Sequence, residues 1–349
     1  MRIVHACVMM VGFALRANRN PQKTNHPFCV GCGAAGVRAL PILTLLLAVA
    51  NPVFSDTVDL RSGDDVCKID VGHGARIVSW TVRGEEMLWM PSVPPPDDGK
   101  WRHGGIPIVW PWQGDEYPDG VTNGPLHGIA WTSPFKVESR TKTECGEELS
   151  LSLEACGLRA DYTIAIRKDD LHFQFKTTNI GSEPRKYAMA IHPYFYLPER
   201  NQAEVEGLDG LCYRDTRDGH CTNGTWKGVL PISQWTDHVF QLEGKPLCVQ
   251  VRDARVKRNK WLSIFEKPQG YRPTPRIRVF SRDAASCCVW NPGEMWAAVG
   301  APFYGELEEG AFRHILSVEP CTTGMKDAAP IQPGESRTLT AEIARVHSL

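Results

Sequence analysis

The sequence predicts an all-β protein built as a large antiparallel sandwich, and three observations support this prediction. After the first 55 residues, roughly fifteen short segments rich in β-branched and aromatic residues are separated by turn signals. Two consecutive segments, Leu158–Arg167 and Leu171–Asn179, alternate apolar and polar residues as half-solvated strands do. Helical character is confined to Met295–Ala298 and residues 306–312, and no repeat of solenoid or propeller period is present.

The strands follow one another through short turns, which indicates antiparallel neighbours. Val66–Val71 and Ala75–Val82 form a predicted hairpin, with Gly72-His73-Gly74 as its turn. Lys168-Asp169-Asp170 joins the two alternating segments in the same way. The remaining predicted strands are Met87–Met90, Phe135–Arg140, Leu149–Ala155, Tyr187–Tyr196, Val205–Tyr213, Val239–Leu242, Leu247–Arg252, Trp261–Phe265, Ile277–Phe280, Cys287–Trp290, His314–Pro320 and Arg337–Ala344.

The stretch Trp101–Phe135 is the least regular part of this pattern. Pro and Gly interrupt it every few positions, which disfavours a helix, while its Trp and Ile residues favour burial over disorder. We predict an ordered, loop-rich wall of the kind that lines binding sites in all-β folds, with well-packed hairpin turns as the alternative. Trp110 and Trp112 are candidates for an apolar platform or for the core, and the core is the favoured interpretation.

Residues 1–55 differ in composition from the rest and are excluded from the predicted fold, a single domain over residues 56–349. They contain no acidic residue, and the apolar run Leu40–Ala50 is too short to span a bilayer comfortably. A secretory signal, a two-part organelle presequence and an over-extended reading frame all fit this pattern. The destination therefore stays open between the secretory pathway, an organelle and the cytoplasm, and no stable membrane span is expected in the mature protein.

Charge and cysteine content limit the partners and cofactors. A formal net charge of -1 disfavours nucleic-acid binding, which usually requires a strongly basic surface. Nine of the twelve cysteines lie after residue 60, an odd number that cannot pair completely, so reduced thiols are the default expectation. Cys29-x-x-Cys32 has no second pair and is a weak metal signal, so no metal is predicted.

Three ionisable residues occupy unusual positions in the predicted strands. His192 lies in an apolar and aromatic segment, Glu319 at a strand end before Pro320, and Asp237 beside an aromatic strand. Each also fits an ordinary structural role, as a hydrogen-bonded core histidine or a solvated carboxylate. The chain contains no HExxH, GxSxG or P-loop motif, so acid–base chemistry without a cofactor is what these groups could support.

Several short segments occur in an order that resembles the hexose-6-phosphate mutarotases (glucose-6-phosphate 1-epimerases), within the wider aldose 1-epimerase superfamily. The segments are His103–Trp112 (HGGIPIVWPW, against RGGIPxxWPWFG), Leu126–Trp131 (LHGIAW, against HGFAR), His192–Phe195, Val205–Leu208, Thr236–Phe240, Val289–Pro292 and Ser317–Pro320. The resemblance extends from about Val58 to Ala344, nearly the whole chain after the first 55 residues. It implies a single antiparallel β-supersandwich.

The resemblance also implies an activity, the cofactor-free interconversion of the α and β anomers of a sugar. Glu319 would act as general base on the C1 hydroxyl and His192 as general acid on the ring oxygen. His127 would bind substrate hydroxyls or the ring oxygen, Asp237 would orient the sugar, and Gln113 is included among the substrate-binding residues. The expected partner is a small-molecule sugar or sugar phosphate, and the protein is expected to be a monomer.

Two departures from the family pattern concern the phosphate. His103 and Trp131 occupy the positions of two family arginines, although both are kept among the candidate substrate-binding residues. Arg102, Lys100 and Arg83 are other possible cations, and Arg102 is counted with the substrate-binding residues. The substrate that the resemblance implies is a hexose 6-phosphate, and these departures are expected to reduce its affinity unless another cation compensates. The alternatives are a non-phosphorylated aldose, a non-catalytic carbohydrate-binding module and a structural domain.

Overall fold

The computed structural model describes residues 56–92, 103–118, 121, 123–216, 222–232, 235–254, 274–294 and 310–347, and all strand pairs in these ranges are antiparallel. A four-stranded sheet has the order β1-β2-β3-β4. Its strands are β1 (Thr57–Ser62), β2 (Asp65–Asp70), β3 (Arg76–Val82) and β4 (Glu85–Glu86). The predicted hairpin of β2 and β3 is confirmed, whereas residues 87–90 form no strand and contribute only an isolated bridge from Leu88 to Phe195.

A nine-stranded sheet forms one layer of the sandwich. In spatial order its strands are β15 (Leu230–Pro231), β12 (Ala203–Glu206), β17 (Leu247–Asp253), β18 (Arg276–Ser281), β21 (Ser336–Val346), β9 (Asp170–Asn179), β8 (Leu158–Arg167), β7 (Gly146–Ala155) and β6 (Lys136–Thr143). The predicted β8–β9 hairpin is present with continuous pairing over both strands. The alternating residues of these strands contribute Tyr162, Phe173 and Phe175 to the buried core.

An eight-stranded sheet carries most of the ionisable residues that the sequence analysis singled out. Its spatial order is β14 (Thr222–Thr225), β13 (Cys212–Asp215), β16 (Thr236–Gln241), β19 (Ser286–Asn291), β20 (Ile315–Cys321), β10 (Ala190–Ile191) and β5 (Ile108–Val109), and β11 (Tyr194–Tyr196) also pairs with β20. Three single turns of 3-10 helix lie wholly within the described residues, Ala130–Thr132, Arg200–Gln202 and Ala311–Arg313, and helical backbone also begins at Gly293. The predicted all-β class is therefore confirmed.

The described part of the Trp101–Phe135 stretch contains little regular secondary structure, namely β5 and one turn of 3-10 helix. Trp110 is fully buried, lies 6.1 Å from the Phe175 ring and donates its indole N–H to the Thr177 hydroxyl at 3.1 Å. Trp112 is also buried and donates its indole N–H to the Pro125 carbonyl at 3.0 Å. Both indoles therefore pack inside the protein, as the sequence favoured.

Two predicted strands are each two strands in the structure. Tyr187–Tyr196 is interrupted at His192 and Pro193, because proline has no N–H to continue the ladder. Val205–Tyr213 contains β12 and β13, which belong to different sheets. The chain passes between the sheets through Gly207, whose φ of +96° suits glycine, and a Cβ there would lie 2.2 Å from a carbonyl oxygen.

Other sequence predictions lie outside the described residues. They are residues 1–55, the strand Trp261–Phe265, the helical segment Met295–Ala298 and residues 306–309 of the second helical segment. Within the described ranges, no helix is long and apolar enough to cross a membrane. The eight cysteines in these ranges are all unpaired thiols.

Candidate active site

A cleft of about 980 Å³ opens on one face of the eight-stranded sheet. Its floor is formed by alternate residues of β16 and β19, with residues of β13 and with Glu319 of β20, and its rim by the loops after β5 and β20. Six residues predicted from the sequence line this cleft together: His103, Gln113, His127, His192, Asp237 and Glu319. Residues from distant parts of the chain thus converge on one site.

The interrupted strand positions His192 beside Glu319. The backbone N–H of His192 donates to the Pro107 carbonyl at 3.2 Å, which continues the pairing of β10 with β5, and the His192 ring stacks on Tyr194 with a centroid distance of 4.6 Å. Its Nε2 atom then lies 3.2 Å from Oε1 of Glu319. Both side chains are nearly inaccessible to solvent, with 5% and 2% relative exposure. An imidazole nitrogen and a carboxyl oxygen at this separation are close enough to exchange a proton.

Ser317 joins the same pair from the other side. Its Oγ donates to Oε1 of Glu319 at 3.1 Å and lies 3.1 Å from Nδ1 of His192. Because the single hydroxyl proton is directed to Glu319, the His192 contact assigns the proton to Nδ1, which donates to Oγ. Nε2 is then the nitrogen that faces Glu319. The Ser317 hydroxyl thus holds the imidazole in one orientation through its contact with Nδ1.

Burial decides where the mobile proton of this pair rests. It raises the pKa of Glu319 to about 8, with a further increase from the negative charge of Asp237. Burial also lowers the pKa of His192 well below its ordinary value. The resting pair therefore consists of a protonated carboxyl and a neutral imidazole. The family roles, with Glu319 as base and His192 as acid, require a prior proton transfer across the 3.2 Å contact.

His127 is held in one orientation by its backbone. It has a left-handed φ of 65°, and its Nδ1 accepts the backbone N–H of Gly114 at 3.1 Å. Burial lowers the pKa of His127 to about 3, so the ring is neutral and its Nε2 carries the proton as a donor. Gly128 follows with a φ of +83°, and a Cβ there would lie 2.1 Å from the Trp110 carbonyl oxygen.

Aromatic rings define one wall of the cleft. His103 is buried and stacks on Trp290 with a centroid distance of 5.4 Å, and it meets the edge of Tyr194 at 5.5 Å. Asp237 is paired in register with Trp290 across β16 and β19. Gln113 approaches Cys321, with Nε2 3.9 Å from Sγ. An apolar ring face beside polar tips suits a sugar, which presents C–H groups and hydroxyls.

Trp131, expected to bind substrate, is not among the residues that line the cleft. Its indole is buried, donates to the Leu126 carbonyl at 3.0 Å and packs in a cluster with Trp89 and Val109 instead of lining the cleft. Arg83 does not line the cleft either, since its guanidinium pairs with Asp169 at 3.0 Å. Lys100 and Arg102 lie outside the described residues.

Several site residues were missed in the sequence. Ser317 contacts both His192 and Glu319, Trp290 lines the cleft, and Tyr194 stacks on the His192 imidazole. The signal for two of them was strand alternation, because Ser317 lies two residues before Glu319 and therefore on the same face. Tyr194 stands in the same relation to His192.

The sequence is similar to known sugar epimerases. The sequence profile of the family described as aldose 1-epimerase matches residues 57–271. A protein of Salmonella typhimurium named "Putative glucose-6-phosphate 1-epimerase" is 26% identical over 301 residues, covering 80% of this chain and 89% of that protein. A protein of the same name from Cenchrus ciliaris is 27% identical over 307 residues and covers 82% and 84% of the two chains.

Solved structures share the fold at lower sequence identity. The crystal structure of a mutarotase-like protein from Salmonella typhimurium superposes with a TM-score of 0.65 at 19% identity, covering 84% of this chain and 92% of that one. A galactose mutarotase related enzyme from Lactobacillus acidophilus superposes with a TM-score of 0.61 at 15% identity, covering 84% and 97%. The family match spans more than half of the chain. The chain is an isomerase that belongs to the aldose 1-epimerase family.

Proposed function

We propose that the chain interconverts the α and β anomers of a hexose 6-phosphate without a cofactor. The buried contact of 3.2 Å between His192 and Glu319 carries this proposal. The two reacting oxygens of a cyclic sugar, the C1 hydroxyl and the ring oxygen, are bonded to the same carbon. Two groups in contact with each other can therefore each reach one of them.

The reaction needs one group that takes a proton and one that gives a proton. With the pair in its charged form, Glu319 removes the proton of the C1 hydroxyl while His192 protonates the ring oxygen, and the C1–O5 bond breaks to give an aldehyde. Rotation about C1–C2 presents the other face of the carbonyl. Reclosure returns both protons, so the pair regains its starting state after each turnover. The neutral Nε2–H of His127 is a donor for a substrate oxygen in the cleft.

The choice of a hexose 6-phosphate rests on the names of the relatives, which specify glucose 6-phosphate. A second candidate is a non-phosphorylated aldose, since His103 and Trp131 stand where the family pattern that this chain resembles has arginine. Trp131 faces away from the cleft, and the stacked ring of His103 is not a permanent cation. Both candidates use the same reacting pair and differ only in the group recognised at the far end of the sugar.

We expect the full-length protein to accelerate anomer exchange of glucose 6-phosphate above its spontaneous rate. Magnetisation-exchange NMR measures this rate at equilibrium, with glucose and galactose as comparison sugars and heat-inactivated protein as the blank. Acceleration of glucose alone would favour the second candidate. Sugar binding without acceleration of any of the three would contradict the proposed function and leave a binding module.

The pH dependence should follow the single proton that the pair shares. With the Glu319 pKa raised to about 8 and the His192 pKa below its ordinary value, the one-proton form persists from near neutrality to about pH 8. Above that pH the pair loses this proton, so kcat/KM should fall about tenfold per pH unit. Glucose is the preferred probe here, because its lack of a phosphate removes a second titration. A rate that rises steadily through pH 9 would contradict this assignment.

A further inference from the structure

Two side chains that line the cleft carry a permanent positive charge among the described residues, Arg214 and Lys326. The Lys326 ammonium lies 3.3 Å from Glu116, and Asp115 and Asp327 line the cleft beside these two residues in the chain. That rim is therefore net acidic. Arg214 is exposed on β13 and forms no ion pair with any residue in the part of the chain that the structure describes.

The strand register connects Arg214 with the reacting pair. Arg214 is paired with Val239, Val239 with Cys288, and Cys288 with Glu319. Residues paired across antiparallel strands face the same side of a sheet, and all four line the cleft. Three strand spacings separate the Cα atoms of Arg214 and Glu319, which corresponds to about 14 Å. A hexose phosphate that begins at Glu319 and an arginine side chain that extends along the row from Arg214 can together cover this distance.

The acidic rim lies in the other direction. Asp115 and Glu116 belong to the loop that follows β5, the last strand of this sheet, whereas β13 lies next to its opposite edge. An anionic group directed toward that loop would meet carboxylates. The same group directed along the row toward Arg214 would meet a guanidinium, whose planar fork matches phosphate oxygens.

We propose that Arg214 binds the anionic group on the exocyclic carbon of the sugar, a phosphate monoester in the proposed substrate. This inference rests on the proposed function, because the position of C1 at Glu319 sets the direction of the rest of the molecule. Phosphate recognition would then take place at β13, on the far side of the cleft, and not at the loop positions of His103 and Trp131. Arg214 is thus a specificity-determining residue that does not contact the reacting atoms.

The test compares glucose 6-phosphate with glucose in the full-length wild type and in the Arg214→Ala variant. The variant should lose about 10- to 100-fold in kcat/KM for glucose 6-phosphate, mainly through KM, and change little with glucose. In the wild type, added salt should lower kcat/KM for the phosphorylated sugar, and this salt dependence should weaken in the variant. Arg282→Ala, which removes an exposed arginine outside the cleft, is the matched control and should resemble the wild type.

The outcomes separate this inference from the proposed function. If the wild type accelerates neither sugar, the proposed function fails. If the wild type accelerates anomer exchange of glucose 6-phosphate, the proposed function stands. The role of Arg214 is then overturned if Arg214→Ala lowers kcat/KM equally for both sugars or for neither. A selective loss in Lys326→Ala in place of Arg214→Ala would assign the anion to the acidic rim and also overturn the inference. Arg214→Lys should retain part of the preference, because a charge remains without the fork.

Discussion

Replacing Glu319 by glutamine is expected to lower kcat for anomer exchange by about 10²- to 10⁴-fold, the range measured for general acid–base groups. The glutamine side chain would keep the shape of the glutamate and an oxygen for the Ser317 hydroxyl, so the buried packing is retained. Its amide has no proton that it can exchange with a substrate oxygen. NMR exchange of glucose measures the loss, and glucose avoids any contribution from phosphate recognition.

The control for this variant is Glu183→Gln, which neutralises an exposed carboxylate away from the cleft. It should retain wild-type kcat, and thermal unfolding of both variants should remain cooperative. Full activity in a folded Glu319→Gln protein would exclude the carboxyl from proton transfer. Substrate affinity should persist in that variant, because the loss concerns proton transfer in the transition state.

The second large effect is expected for His192→Asn. The asparagine amide can replace the Nδ1–H that donates to Ser317, but it has no counterpart of Nε2, the atom 3.2 Å from Glu319. We expect kcat to fall by about 10²- to 10⁴-fold. The rate of glucose anomer exchange measures this loss of kcat. His73→Asn changes a histidine whose side chain is 73% exposed, and this variant serves as the control.

Combining the two substitutions distinguishes a coupled pair from two independent groups. If His192 and Glu319 share one proton, removing the second group after the first should cost little more, because groups that act as a unit are not additive. The double variant should therefore be close to the slower single variant. Losses that multiply would contradict the shared proton and show that the groups act in separate steps.

The all-β class and most strand positions could be predicted because the alternation of apolar and polar residues is a property of each short segment of sequence. The β8–β9 hairpin is an example, since both strands alternate and a tight turn lies between them. Two-residue strands such as β5 carry no such period, and their pairing depends on distant partners. The separation of β12 and β13 into two sheets is likewise a property of the assembled sandwich.

The site was predictable in its residues and less so in its electrostatics. Family motifs indicated His192 and Glu319, but their proton distribution follows from burial, which the sequence does not show directly. Burial raises the pKa of Glu319 and lowers that of His192, so the resting roles are opposite to those the resemblance implies. The position of Trp131 away from the cleft could not be predicted for a similar reason, since a residue's place in a motif does not reveal which side of the backbone meets the cleft.

The thiols around Glu319 bear on the fate of the open-chain aldehyde. An aldehyde held beside a thiolate would be captured as a hemithioacetal, which would block the site. Cys288 lines the cleft opposite Glu319, and Cys321 lies two residues beyond it on the same strand. Burial raises the pKa of both thiols well above the ordinary value, so they stay protonated and weakly nucleophilic. The cleft can therefore hold the aldehyde beside two thiols while the sugar's own hydroxyl closes the ring on that carbonyl.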